Sequence, residues 1–311
     1  MKKKKILILG ATGMIGHVLF NELNNYDNYE VYGTARRNLE HLIGSFPKDN
    51  IKRLRPNVEA TNFDTIMRAL ASVQPDIVIN CIGIIKQAPL SNDPLSIITT
   101  NAQLPHRISM VCRTANARMI QMSTDCIFRG DKGFYKEEDI ADATDLYGRT
   151  KYLGEVTYPH CITIRTSTIG HEIKGGFGLL EWFLNQKKSI KGFKNAIFSG
   201  FPTVELAKII GEYIIPNDKL KGVYHISSNP ISKYDLLKII SKVYNYKIDI
   251  VPNYDFKVDR SLNSEKFKKE TGYKVKNWED LIDDMYSHYK KYKLYRKYYD
   301  FDESSKYWEN I

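Results

Sequence analysis

Gly10, Gly13 and Gly16 stand three residues apart where an apolar run, Ile6-Leu7-Ile8-Leu9, gives way to a helical pattern beginning at Met14. No other feature of the chain restricts its fold as much. Glycines at this spacing let the backbone turn tightly at a strand end and come close to a pyrophosphate. The helix that follows offers unpaired amides and the positive end of its dipole. At a strand-to-helix junction near the amino terminus, the motif predicts a phosphate cradle.

The rest of the first half repeats the theme. Ile6–Leu9, Glu30–Thr34, Ile77–Asn80, Met119–Ser123 and Ile162–Arg165 are continuously apolar rather than alternating, which marks buried parallel strands. Helical patterns at Met14–Leu23, Asn62–Ser72 and Pro94–Ala115 lie between them. Strand, crossover helix and strand in series predict an α/β fold, a Rossmann-type doubly wound parallel sheet with a smaller C-terminal substrate-binding region. The nucleotide-binding part is expected over 1–165, with 204–227 returning to it, and the substrate region over 166–203 and 228–311. Beyond Arg165 the pattern loosens into a glycine-rich loop at 174–178 and helices at Leu179–Asn185, Val204–Ile215 and Lys233–Tyr244, with a short strand at Val223–Ile226. Tyr286, Tyr289, Tyr292, Tyr295 and Tyr299 recur at helical spacing, so an amphipathic helix is expected to lay an aromatic face on the body or on a second subunit of a homodimer.

Composition excludes several classes. At 42% hydrophobic and 26% charged, the 311 residues are too apolar for a disordered chain. No run approaches the ~20 apolar residues of a membrane helix. The lysines of the start imitate the head of a signal peptide, but Gly10 ends the apolar run too early. Cys81, Cys112, Cys126 and Cys161 are widely spaced, which argues against a disulfide scaffold and a local metal site. A cytoplasmic setting is expected. Lys and Arg number 46 against 36 Asp and Glu. The lysines are scattered rather than gathered into a stripe, so an anionic small substrate fits this surplus better than nucleic acid.

The second strand ends Thr34-Ala35-Arg36-Arg37. An NAD site usually places an acidic residue here for the ribose 2′-hydroxyl, whereas arginine suits a 2′-phosphate. Arg36 and Arg37 therefore favour NADPH over NADH; the plainer reading is two solvated arginines on a turn.

Tyr147-Gly148-Arg149-Thr150-Lys151 sets a phenol and an ammonium one helical turn apart. A nearby ammonium lowers a phenol's pKa, which suits proton transfer near neutrality. Ser123-Thr124-Asp125 closes a buried strand, where a hydroxyl can hold a substrate oxygen against that phenol.

With these residues the chain resembles the extended short-chain dehydrogenase/reductase superfamily. Ser123-Thr124-Asp125-Cys126-Ile127-Phe128, Gly133-Phe134-Tyr135-Lys136-Glu137-Glu138-Asp139 and Tyr147 through Glu155 resemble its dTDP-4-dehydrorhamnose reductase branch, as do Val78-Ile79-Asn80, Asn101-Ala102, Ile164-Arg165-Thr166-Ser167 and Gly200-Phe201-Pro202-Thr203. The likeness runs from the first strand to about Glu270. It implies hydride transfer from NADPH to the C4 ketone of a nucleotide-linked 4-keto-6-deoxysugar, in deoxysugar biosynthesis for surface glycans. By position, Tyr147 is the acid, Lys151 its partner and Thr124 the carbonyl hydrogen-bond donor. Gly10, Gly13, Gly16 and Arg36 would hold the cofactor, together with Thr12, Met14, Ile15, Arg37 and Asn80. Arg165, Trp182 and Arg260 are expected beside the sugar nucleotide.

Position 126 departs from the branch. Related 4,6-dehydratases carry Glu there and the rhamnose reductases usually Tyr. Cysteine resembles GDP-fucose synthase and plant-type nucleotide-rhamnose synthase, which epimerise beside the ketone before reducing it. Cys126 would be the epimerisation base and His171 or Lys174 the acid of the opposite face; a small apolar filler is the alternative. The regulatory β-subunit of methionine adenosyltransferase also resembles this branch, so a non-catalytic dinucleotide-binding subunit is the rival class.

Overall fold

Residues 2–42, 46–173 and 176–292 are described in a computed structural model. The apolar runs become the strands β1 (Lys4–Leu9), β2 (Tyr29–Thr34), β3 (Leu54–Arg55), β4 (Ile77–Asn80), β5 (Arg118–Met122), β6 (Cys161–Arg165) and β7 (Gly222–His225). They form one sheet in the order β7-β6-β5-β4-β1-β2-β3, parallel throughout. The inner strands β1, β4, β5 and β6 are apolar on both sides because each side faces a core. Ile6, Ile8, Ile77, Ile79, Ile120 and Ile162 enter one cluster, while Leu7, Leu9, Val78, Met119 and Cys161 enter the other. Burying side chains of this size stabilises by roughly 1.5–3 kcal/mol each.

The second face is closed by the helices Phe63–Val73 and Leu104–Thr114. On the first face lie Met14–Leu23, Thr203–Ile209, Lys233–Val243 and Trp278–Tyr292. The last of these carries the tyrosine stripe. Tyr286 and Tyr289 pack on Tyr244, so this aromatic face rests on the body of the molecule; Tyr295 and Tyr299 lie outside the described residues. A three-stranded sheet beyond β6 joins Ile231–Ser232, Ala196–Phe198 and Val258–Asp259.

The pattern over Pro94–Ala115 predicts one helix; the chain instead forms Pro94–Ile97, a π-turn at Ile98–Gln103, and then Leu104–Thr114. Pro105 is the reason. It has no amide to give the Asn101 carbonyl four residues back, which opens the ladder there. That carbonyl meets Gly154, where a Cβ would come within 1.9 Å of it. The Asn101 side chain meanwhile clamps the loop after β4, accepting from Ile84 N at 2.8 Å and donating to Ile84 O at 2.9 Å. A similar π-turn, Ile210–Ile214, extends Thr203–Ile209. The two-residue strand β3 is too short to register as a period.

Candidate active site at the carboxyl edge of the sheet

Register puts the strand ends side by side: Leu9 pairs with Asn80, Asn80 with Gln121 and Met122 with Ile164. Gly10, Cys81, Ser123 and Thr166 therefore leave the sheet along one edge, where ligands bind in folds of this kind.

Gly10 adopts φ +79°, a left-handed conformation that favours glycine. Its amide donates to Thr34 Oγ1 at 3.0 Å, and Ala11 N to Thr34 O at 2.9 Å, which ties the loop to the end of β2. A Cβ on Gly16 would lie 2.1 Å from the Gly10 carbonyl oxygen, so glycine there lets the helix press against the loop. Gly13 serves differently. It is exposed, a Cβ on it would meet nothing closer than 3.5 Å, and no side chain caps the helix it opens. Thr12, Met14 and Ile15 are half-buried beside it, and Arg36 and Arg37 are exposed just past β2. These residues fit a dinucleotide diphosphate, with two cations where a 2′-phosphate would sit. Asn80 does not join them. It is fully buried, its amide nitrogen donates to Gln121 Oε1 at 2.8 Å, and its oxygen accepts from Ile82 N at 3.2 Å. The expectation that it holds the cofactor is corrected: it shapes the turn beneath the loop.

The second half of the site is a helix set on a turn. Thr124 caps the short turn Asp125–Ile127, its Oγ1 accepting from Cys126 N at 3.1 Å and donating to Asp125 Oδ1 at 3.2 Å. Asp145 caps the helix Leu146–Leu153 through Gly148 N at 3.0 Å. A Cβ on Gly148 would fall 2.3 Å from the Cys126 carbonyl. That close seat brings Tyr147 against the turn, where Thr124 and Cys126 both act on its phenol. Burial, then Cys126 and Asp125, push the phenol up despite Thr124. This corrects the expectation of a lysine-lowered phenol: the group is held protonated. Lys151 Nζ donates to Met122 O at 2.7 Å; burial lowers it to about 8, with Glu155 and Cys81 acting the other way.

Cys126 adjoins the phenol, and burial and Asp125 push its thiol up to about 12, with Arg260 opposing. Arg260 reaches the same turn, its Nε donating to Phe128 O at 2.7 Å. Trp182 is half-buried against the main core.

His171 does not fit the role of reprotonating acid. It is buried, with Nδ1 2.8 Å from Glu181 Oε1, Nε2 3.0 Å from Tyr244 Oη and its ring stacked on Tyr289 at 4.3 Å. Both nitrogens are engaged inside the protein. Lys174, the other residue considered for that role, lies outside the described residues. Arg165 is also corrected. Its Nε and Nη2 donate to Glu155 at 2.9 and 2.8 Å, and Nη1 donates to Glu137 O at 3.1 Å and to His225 Nε2 at 3.2 Å. Four of its five N–H groups are thus spent on the protein.

The sequence reading missed Lys233, a half-buried residue that acts electrostatically on Cys126 and Asp125, and Lys86. Lys86 pairs with Asp145 at 3.4 Å and lines, with Gln87, Tyr147 and Phe177, a cavity of about 460 Å³. Neither belongs to a motif; each reaches the site through a loop or a strand of the smaller sheet. Among the described residues no group of His, Cys, Asp and Glu could hold a metal ion, and no helix is long and apolar enough to cross a membrane.

The family profile described as "RmlD substrate binding domain" matches residues 4–291. The chain belongs to this family. It is 26% identical to bovine (Bos taurus) methionine adenosyltransferase 2 subunit beta over 265 residues, 78% of this chain and 72% of that protein. It is 25% identical to the spore coat polysaccharide biosynthesis protein SpsK of Bacillus subtilis (strain 168), covering 89% of this chain and 95% of that one. The crystal structure of dTDP-4-dehydrorhamnose reductase from Bacillus anthracis in complex with NADP superposes with a TM-score of 0.75 at 21% identity, over 92% of this chain and 99% of the other. That likeness supports the α/β fold with its large parallel sheet.

The corrected place of Arg165 yields a test. Arg165→Met leaves Glu155 charged and buried without its partner, a loss of ~3–5 kcal/mol. Urea unfolding is expected to register it. A substrate-binding arginine would instead raise KM and leave the unfolding midpoint in place.

Proposed function

We propose that the protein reduces the C4 ketone of a nucleotide-linked 4-keto-6-deoxysugar with NADPH. The observation that carries this reading is the close seat of the Tyr147 helix on the turn that Thr124 caps, with Lys151 buried one helical turn away, on the sheet edge that also bears the glycine loop. NADPH, when bound, supplies the hydride. The ketone oxygen is held by Thr124 and Tyr147, and the phenol gives its proton to that oxygen as negative charge develops. A phenol that stays protonated suits this direction. Lys151, charged below about pH 8, favours the phenolate left behind. The cavity beside Lys86 and Phe177 would take the rest of the sugar nucleotide, a dTDP-deoxyhexose or a UDP-linked N-acetylhexosamine derivative. Cys126, within that same turn, would move a proton beside the ketone before reduction. The SpsK likeness supports a place in polysaccharide synthesis, and the NADP-bound structural relative supports the cofactor.

Similarity to methionine adenosyltransferase 2 subunit beta favours a second reading, a dinucleotide-binding subunit without turnover. NADPH absorbance decides between them with dTDP-4-keto-6-deoxyglucose and its UDP-linked N-acetyl counterpart, each generated by a 4,6-dehydratase. Consumption supports the reductase; no consumption with either sugar leaves the binding subunit. In the reductase, Tyr147→Phe is expected to retain NADPH binding and lose ~10²-fold or more in turnover.

The lysine sets an alkaline limit. Because deprotonation near pH 8 removes the cation that supports the phenolate, kcat/KM is expected to fall as pH rises through about 8. Lys151→Arg keeps its charge and should shift that limb upward. A profile flat to pH 10 would exclude the lysine from the step.

Cofactor choice is tested at β2. Replacing Arg36 and Arg37 with serine should raise KM for NADPH about tenfold or more and leave that for NADH nearly unchanged. A wild type that already prefers NADH refutes the assignment.

A further inference from the structure

The opposite edge of the sheet carries a second concave site. Register sets the amino ends of β5, β6 and β7 side by side: Met119 pairs with Cys161, and Ile162 with Gly222. The residues just before Met119, Cys161 and Gly222 are Arg118, His160 and Lys221. Together with Arg113, from the last turn of Leu104–Thr114, they line a cavity of about 320 Å³. A basic residue at the carboxyl end of a helix complements its dipole, which accounts for Arg113 alone. Arg118 and Lys221 come from strand starts, where no such reason applies.

Arg118 is half-buried, and its Nη1 and Nη2 donate to Ile214 O at 2.6 Å and Leu220 O at 2.9 Å. Those bonds hold the guanidinium in one orientation and leave three of its five N–H groups uncommitted. Among the described residues, neither Arg113, Arg118 nor Lys221 forms an ion pair. Asp218 also lines the cavity, but it is exposed and acts on Arg118 from outside ion-pair distance. Burial works against the guanidinium charge. An anion that accepts the free N–H groups would supply the compensation that the protein withholds.

We propose that this amino-edge cavity binds a phosphoryl group, as inorganic phosphate or as the phosphate of a small phosphorylated sugar. Arg118 offers its fork to the phosphate oxygens, and Arg113 and Lys221 add charge from exposed positions. The volume is near the lower end of the ~300–1,000 Å³ typical of ligand pockets, which suits a small solute. No Phe, Tyr or Trp lines the cavity, so a nucleobase finds no ring to stack on. Polar groups for sugar hydroxyls are present in Asn116 and His160. His160 gives its Nε2 proton to Ser109 O at 2.9 Å, which leaves Nδ1 available. The glycine loop and Tyr147 belong to the other edge, so this site does not depend on the reductase reading.

The test is an NMR titration of the full chain with labelled histidine rings and NADP⁺ in excess. The pH is fixed, and sodium chloride keeps the ionic strength constant. Inorganic phosphate and glucose 6-phosphate are the titrants. His160 reports on the cavity, while His17, with Nδ1 2.9 Å from Gly13 O, reports on the glycine loop. His160→Gln and His17→Gln identify the two signals. A saturable shift is expected at His160. Equal affinity for both titrants identifies phosphate as the ligand, and ~10-fold tighter binding of glucose 6-phosphate identifies a phosphorylated sugar. Arg113→Gln and Lys221→Gln are each expected to weaken binding ~10-fold, and the double variant ~10²-fold. Arg118→Met would also strip two backbone carbonyls of their donor, so the exposed pair carries the test. A shift confined to His17, a response at His160 that never saturates, or binding that survives the double variant overturns the site.

Discussion

The buried pair of Glu155 and Arg165 is the interaction on which the site depends. Glu155 follows the helix Leu146–Leu153 and accepts from Ser123 Oγ, at 2.7 Å, as well as from the guanidinium of Arg165. The ends of β5 and β6 are thereby fastened to the carboxyl end of that helix. Arg165 continues the network to the Glu137 carbonyl and to His225 on β7, and its guanidinium lies 5.6 Å from the centre of the Phe128 ring. His225 takes part as a neutral ring. Burial and the neighbouring arginine lower it to about 3, so Nδ1 donates to Tyr135 O and Nε2 accepts from Arg165. A buried pair is costly to desolvate, and its contribution here is geometric: three strand ends and one helix in a single arrangement.

Within that frame, reach is set by close backbone contact. Gly16 on the Gly10 carbonyl, Gly148 on the Cys126 carbonyl and Gly154 on the Asn101 carbonyl are three uses of one device, a glycine where a helix meets the edge of the sheet. In each case a methyl group would fall nearer than 2.5 Å to an oxygen. Moving the helix outward to admit one would carry Tyr147 away from Thr124 or open the glycine loop. Glycines that look like loose punctuation in the sequence are contact points here.

The legible parts of the sequence were those governed by local rules. Continuous apolar runs between helical stretches specify parallel strands buried on both faces, and β1, β2 and β4–β7 lie within two residues of the expected bounds. Tyr147, Thr124 and Lys151 were legible because a strand end and one helical turn fix them. What escaped was side-chain direction and long-range partnership. Arg165 and Asn80 do lie at strand ends, yet they point into networks beneath the edge. His171 follows β6 closely, but Glu181, Tyr244 and Tyr289 claim it from three other elements. Lys233, which acts electrostatically on Cys126, is more than a hundred residues from it, and no motif joins the two.

The charge of the chain and the chemistry of the site separate along the same lines. The cationic surplus is scattered along the chain, which suits attraction of small anions at long range. Inside, burial opposes charge of either sign, raising the Tyr147 phenol and Cys126 thiol and lowering Lys151 and Lys233. Proton donors are thus kept loaded while the lysines are drawn toward the amine. For the proposed reduction this matters in one direction above all. Hydride arriving at the ketone creates an alkoxide that needs a proton at once, and a phenol already protonated supplies it without reorganisation. Oxidation of an alcohol would need the phenolate at the start, and the burial that protects the proton on Tyr147 works against that state. Those surroundings keep Tyr147 in the protonated form that the proposed reduction needs at its start.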